Sequence, residues 1–271
     1  MKCQQLPPPE HLKEYIRSIW TLEVPADGQT PHVFRTFAEG APGLVFQQAE
    51  DGKVYQNDKE LPGLFLYGSA TTHARLHATG KLKIVGIFLH PNALKTVFGL
   101  NAGLLTDTCI DASTLAVREY HSLPEQLVNT RSTIGQIELL SSWIKVKADK
   151  NHARRDNNMQ YAASVIAGSK GNVVLKGLQI ELQLSERSFE RKFKEYIGMS
   201  PKLFSRICRF QSSLQQLRDN DYTKLSDIAF ENEYADQSHF IRTFKEFAGF
   251  SPFQYQKQSP EVIENLATLL K

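Results

Sequence analysis

The 271-residue chain has few cysteines, no long apolar run and no familiar catalytic signature, and each shortage removes a class of function. Three cysteines, Cys3, Cys109 and Cys208, are too few and too scattered for a disulfide framework or a zinc-ligand cluster. They suit a reducing compartment, so the chain is expected in the cytoplasm. The longest uninterrupted apolar stretch, 84–89, falls far short of the ~20 residues a membrane-spanning helix needs, so no membrane is expected among its partners. The N-terminus reads MKCQQLPPPE, where a secretion signal would carry an apolar segment. A GxSxG elbow, a Walker loop and a GxGxxG turn are all missing. His73 and His77 lie four apart and His90 follows a strand pattern, yet residues 61–105 hold no Asp or Glu and no ligand spacing accompanies them. No catalytic residue, metal ligand or cofactor is therefore assigned, and an enzyme is not expected.

With 41% hydrophobic residues and 16 Phe, the chain can bury cores for two domains of ordinary size. Net charge is only +3, but it is unevenly placed. Residues 1–150 carry 15 basic and 15 acidic groups, and residues 151–271 carry 17 and 14. Between positions 185 and 209 there are seven basic groups against three acidic ones, a local excess suited either to a polyanion or to a solvated helix face.

The pattern divides the chain. Short β-rich runs at Ile16–Val24, 33–37, 43–47, Leu64–Tyr67, 74–78 and Leu82–Leu89 are separated by turn punctuation such as PADG, EGAPG, EDG and ATG. Strands at this spacing predict a small barrel or sandwich. From position 91 the period becomes helical, over 91–100, 114–128 and 133–147. A polar stretch, KADKNHARRDNN, then reads as a linker, and everything beyond it reads as helix. The fold class expected is α+β with two domains: a β-barrel-like N-terminal domain with a helical extension, then an all-α C-terminal domain. The boundaries expected are 1–147 (β-rich to 90, helical from 91), a linker at 148–157, a second domain over 158–258 and a helical extension over 259–271.

The second half contains a repeat. Phe189-Glu-Arg-Lys-Phe-Lys-Glu-Tyr-Ile-Gly-Met-Ser-Pro201 overlays Phe240-Ile-Arg-Thr-Phe-Lys-Glu-Phe-Ala-Gly-Phe-Ser-Pro252, identical at eight of thirteen positions. In each copy a capping residue (Ser185, Asp236) opens a helix, and two Phe four apart make an apolar stripe. Gly198 and Gly249 can take the left-handed conformation that ends it, and Ser-Pro opens the next helix. A short amphipathic segment precedes each copy, at 174–182 and Leu225–Glu231, which is helix-turn-helix order. Residues 201–220 between the copies read as one helix of about 30 Å. Periodicity alone leaves DNA binding and an ordinary helical bundle both open.

The strings LSERSFERKFKEYIGMSPKLFSRICRFQ and LSDIAFENEYADQSHFIRTFKEFAGFSP resemble the C-terminal DNA-binding domain of the AraC/XylS family of transcription regulators, over roughly 159–255. The resemblance implies two helix-turn-helix subdomains joined by a long helix, each placing a recognition helix in the major groove. By position, the base-reading residues it implies are Arg187, Glu190 and Arg191 in the first unit and Gln237, Ser238 and Arg242 in the second. Arg can pair with guanine, Gln with adenine and Glu with cytosine. Ser185, Lys194, His239 and Lys245 are the phosphate contacts it implies. The chain departs from the family's pattern at the turn, where Gln183 and Glu233 stand in place of glycine, and at Gln179, where alanine is usual. A non-glycine residue in a left-handed turn costs roughly 1–2 kcal/mol.

In the N-terminal half, GLVFQQ and IVGIFLHPNALKTVFGL are similar to a less studied group of such regulators' N-terminal domains. The resemblance implies ligand sensing, dimerisation or both. Trp20, Arg35, Phe46 and Tyr67 are the residues expected to line an effector pocket, if they are not plain core. The partners implied are double-stranded promoter DNA, and beyond it RNA polymerase, a small-molecule effector and a second copy of the chain. Two other readings fit the same residues: a helical interaction module that has lost specific DNA binding, and a cupin-like metal-dependent enzyme.

Overall fold

The computed structural model describes residues 2–25, 32–49, 52–116, 123–257 and 264–265. Its strands, in chain order, are β1 (Lys2–Leu6), β2 (Ile16–Val24), β3 (His32–Thr36), β4 (Gly43–Ala49), β5 (Lys53–Gln56) and β6 (Lys59–Glu60). They continue with β7 (Leu64–Tyr67), β8 (Ala74–Thr79), β9 (Leu82–Leu89), β10 (Cys109–Asp111) and β11 (Glu264–Asn265). The helices are α1 (Ala93–Thr96), α2 (Ser113–Ala116), α3 (Leu123–Asn129), α4 (Thr133–Lys150), α5 (Asn157–Gly168) and α6 (Leu175–Glu181). After them come α7 (Glu186–Ile197), α8 (Pro201–Asp219), α9 (Leu225–Glu231), α10 (Gln237–Ala248) and α11 (Pro252–Lys257).

The strands form two open sheets, ordered β1-β2-β9-β4-β7-β10 and β11-β3-β8-β5-β6. No ladder joins one sheet to the other among the described residues, so the barrel expected from strand spacing is corrected to two facing sheets. The larger sheet is antiparallel throughout. Both of its faces are buried. One packs on the smaller sheet through Trp20, Val45, Phe65 and Phe88, and the other packs on α4 through Phe46, Ile87, Trp143 and Ile144. A strand covered on both sides has no solvent face, which is why β9 reads as a nearly continuous apolar run instead of an alternation. The smaller sheet keeps the alternation: Phe34, Leu76 and Ala78 turn inward, while Arg35, Arg75 and His77 turn away.

The helical pattern predicted over 114–128 falls partly on 117–122, outside the described residues, as do the PADG turn beyond Pro25 and most of the EDG turn. Residues 148–157, expected as a linker, are tied down. Asn151 Nδ2 donates to the Val97 carbonyl (2.9 Å), Arg154 donates to Gly99, and Arg155 pairs with Glu14 (2.7 Å). Of the helical extension expected over 259–271, the described residues are Glu264–Asn265, and they form a strand parallel to β3.

The C-terminal half has its own core of Phe189, Phe193, Phe204, Phe210, Phe240, Phe244 and Phe247. Two residues from the N-terminal half, Phe37 and Ala38, belong to it.

Candidate nucleic-acid interface and the inter-sheet cavity

Each repeat folds as a helix, a turn and a second helix. In the first, α6 leads through Gln183 (φ 54°) into α7, and in the second, α9 leads through Glu233 (φ 53°) into α10. Both turns are left-handed although neither residue is the glycine usual there, so the departures leave the turn geometry in place. The turn residues are 50 positions apart and the caps 51 apart, so the second turn holds one extra residue, Ala235. Ser185 Oγ accepts from the Ser188 amide (3.3 Å) and an Asp236 carboxylate oxygen from the His239 amide (2.7 Å), which satisfies the free donors of the first turn. Gly198 (φ 99°) and Gly249 (φ 84°) end the two helices in the conformation that favours glycine.

These caps orient α7 and α10 so that one stripe is buried and the opposite one is free. Phe189, Phe193 and Ile197 are buried, while Arg187, Glu190, Arg191 and Lys194 are exposed. In α10, Phe240, Phe244 and Phe247 are buried, while Gln237, Ser238, Arg242 and Lys245 are exposed. Among the described residues, Arg187 and Arg242 make no hydrogen bond or ion pair. Arg191 reaches Glu195 only at 4.0 Å, because Glu195 is held by Lys95 at 2.6 Å. His239 is half-buried: its Nδ1 accepts from the Ala235 amide (3.3 Å) and its ring meets Tyr234 edge-on, so the proton sits on Nε2. Ser185 is exposed but is engaged as the cap of α7.

Between the units, α8 is a common spine. Its 19 residues are about 28 Å long. Phe204 packs on Phe193 of the first unit (5.6 Å between centroids), and Phe210 packs on Phe244 and Phe247 of the second (5.4 Å each). Ring pairs at these separations hold both second helices on one frame. Burial pushes the Cys208 thiol on this helix up to about 12, so it stays protonated and is a packing residue.

The N-terminal half grips this frame at two places. At the C-terminal end of α7, Ser69 Oγ donates to the Ile197 carbonyl (2.8 Å) and Thr106 Oγ1 to the Gly198 carbonyl (2.6 Å), which leaves the start of the helix open. The second grip is the segment after β3. Phe37 inserts among Phe210, Phe250 and Tyr255. The Ala38 amide donates to the Phe247 carbonyl (3.2 Å), and Gln211 Nε2 of α8 donates back to the Ala38 carbonyl.

Between the two sheets lies a cavity of about 260 Å³. Trp20, Phe34, Phe65, Tyr67 and Phe88 line it, and Phe37 and Gln211 reach it from the side of the helical half. Two glycines of the larger sheet make room for aromatic rings of this lining. A Cβ at Gly86 would lie 1.9 Å from the Trp20 indole, and one at Gly43 would lie 2.2 Å from the Tyr67 hydroxyl. Burial raises the Tyr67 phenol well above its usual range, Glu39 adding to the rise and Arg17 opposing it, so it is a neutral group. Of the pocket residues expected from the sequence, Trp20 and Tyr67 line the cavity. Phe46 is corrected: its neighbours in β4 face inward, and it packs with the larger sheet's other face. Arg35 is corrected as well; it points outward and stacks over Phe250 at 5.2 Å. Phe37 and Gln211 were missed, because only the docking of the two halves brings them there.

His73 sits at the cavity, His77 faces away on β8, and His90 lines a separate cleft of about 860 Å³ between the halves, so the three do not converge. Among the described residues no group of three or more His, Cys, Asp or Glu could hold a metal ion, and no helix is long and apolar enough to cross a membrane.

Comparison with known proteins divides the chain in the same way. Residues 4–111 match the domain of unknown function DUF6597, and residues 179–258 match the helix-turn-helix domain family. An uncharacterized HTH-type transcriptional regulator of Haemophilus influenzae is 38% identical over 74 residues, 27% of this chain and 24% of that protein. One from Staphylococcus aureus is 33% identical over 81 residues, 30% of this chain and 11% of that protein. The chain therefore spans a quarter or less of the length of these relatives. Among solved structures, ToxT from Vibrio cholerae aligns over 94% of this chain and 98% of its own, at 12% identity and a TM-score of 0.46.

Proposed function

We propose that this chain, whose residues 179–258 match a helix-turn-helix domain family, is a regulator of the AraC type that controls transcription by binding promoter DNA in the cytoplasm through both units. The observation that carries the reading is the repeated one. Two capped helices, α7 and α10, hang from a single spine and present unpaired polar side chains at matching positions. Arg187, Glu190 and Arg191 read bases in one major groove, and Gln237, Ser238 and Arg242 read bases in the next. Lys194, Lys245 and the Nε2–H of His239 contact phosphates, and Ser185 does so beside its capping role. Successive major-groove faces are ~34–36 Å apart, a separation that a spine of about 28 Å with a helix at each end can bridge. No catalytic step enters this reading.

The N-terminal half acts as a sensor. Its cavity is walled in part by Phe37 and Gln211, which also belong to the core and spine of the DNA-binding half. A molecule entering the cavity therefore touches groups that position α8. Dimerisation through this half and contact with RNA polymerase are further partners' roles that such a regulator fills.

The test is fluorescence anisotropy with a duplex enriched from a random pool by the full-length protein. Arg242→Ala should weaken binding by about 1–3 kcal/mol and relax the preference at one base pair. Lys245→Ala should weaken all duplexes alike and lower the salt slope by about one. Unchanged affinity in Arg242→Ala would sink the assignment of α10 as a reading helix.

A further inference from the structure

We propose that the inter-sheet cavity takes a compact hydrophobic molecule that carries no negative charge. The inference rests on the sensor reading above and adds the chemistry of the ligand. Neither lysine nor arginine is among the described residues that line the cavity. The reason lies in the strand register. On the smaller sheet, Arg35 and Arg75 face each other across β3 and β8 on the outward side, while Phe34 and Leu76 take the inward side. Among the described residues the larger sheet brings one guanidinium close: Arg17 stacks on the Phe88 ring at 5.0 Å and is already paired with Glu39.

The acids that reach the lining are Glu39 and Asp107, and one imidazole, that of His73, stands there as well. Glu39 is held by Arg17, and the Asp107 carboxylate accepts from the Thr71 amide at 2.6 Å and from its hydroxyl, with no ion-pair partner among the described residues. A carboxylate ligand would thus leave water for a mostly apolar chamber, find neither lysine nor arginine and meet Asp107, and burying an unpaired charge is strongly unfavourable. A neutral or cationic hydrophobe meets none of these obstacles. Aromatic faces from Trp20, Phe34, Phe65 and Phe88 receive it, and such faces also attract cations. The lining also holds the Tyr67 hydroxyl and the Gln56 and Asn57 amides. Such neutral donors and acceptors suit an amide, alcohol or amine. As to size, an apolar cavity of about 150 Å³ accepts benzene, so one of about 260 Å³ has room for a fused pair of rings.

The experiment is calorimetric titration of the full-length protein with naphthamide, naphthylmethylamine and naphthoate near neutral pH. Naphthamide and naphthoate have nearly the same shape, so charge is the difference between them. Naphthamide and the amine should bind at least about tenfold more tightly than naphthoate. Naphthoate binding as tightly as naphthamide, or more so, overturns the proposal while leaving the sensor reading in place. No binding by any of the three removes the sensor reading itself for ligands of this size. Val54→Phe, which fills the cavity, should abolish naphthamide binding while the circular dichroism spectrum is unchanged. Leu76→Phe serves the same purpose from the other strand should that variant not fold. Undiminished binding in a folded filled variant would put the ligand elsewhere and also overturn the proposal.

Discussion

Replacing Phe37 with alanine should destabilise the helical half of the molecule, although Phe37 is part of the N-terminal half. The side chain is 4% exposed, and its ring meets those of Phe210, Phe250 and Tyr255 edge-on at 6.4, 5.6 and 6.3 Å. Removing a buried phenylalanine ring costs about 3–5 kcal/mol. Phe37 also borders the inter-sheet cavity, so one side of the ring has fewer partners to lose, which favours the lower end, near 3 kcal/mol. The assay is urea unfolding of the full chain, followed by helical circular dichroism and by tryptophan emission. Trp20 and Trp143 both lie in the N-terminal half, so emission reports that half, while the dichroism is weighted toward the other. The helical transition should move to lower urea by the equivalent of ~3 kcal/mol at an unchanged slope. A loss below ~1 kcal/mol, or one confined to the emission signal, would mean that the segment rests on the helical half without completing its core. The same contact implies that a fragment starting near residue 157 lacks a core ring, so DNA-binding measurements belong on the full chain.

Glycine at Gln183 or Glu233 should stabilise the protein by about 1 kcal/mol each, because both hold left-handed conformations that cost an ordinary residue more than glycine. Thermal melts of the two variants check this, and lower melting temperatures would contradict it. Acid should weaken the fold through His90. Burial, with a smaller contribution from Arg17, lowers its pKa below the usual 6.5, against the opposing bond in which Nε2 donates to the Lys13 carbonyl at 3.1 Å. The unfolded chain therefore binds this proton first. Stability should fall as pH drops below about 6.5, and the loss is complete once pH passes the lowered folded value. Comparing urea midpoints at pH 7.5 and 5.5, wild type should lose more than His90→Gln, and an equal loss in both would exclude His90 as the source.

The helical half was largely legible in the sequence because its signals are local. Ser185 and Asp236 as caps, Gly198 and Gly249 as stops and the Phe pairs four apart each act within one or two turns, and the repeat shows every one of them twice. The sheets were legible as strands but not as an arrangement. β1 and β10 are short and polar and gain their place only by pairing with β2 and β7. Phe46 was expected in the cavity because it is aromatic, yet period-two alternation puts it on the face opposite Val45. Arg35 follows the same rule on β3. The contribution of Phe37 and Gln211 could not be read along the chain, since it depends on a contact between residues 173 positions apart.

The most direct test of the account is selection of double-stranded DNA from a random pool by the full-length protein at two salt concentrations. The account expects an enriched motif with two half-sites about one helical turn apart, bound with an affinity that falls steeply with salt. Weak, salt-labile binding without any enriched sequence, or binding indifferent to salt, would contradict it and leave the repeated helices as a surface for another protein.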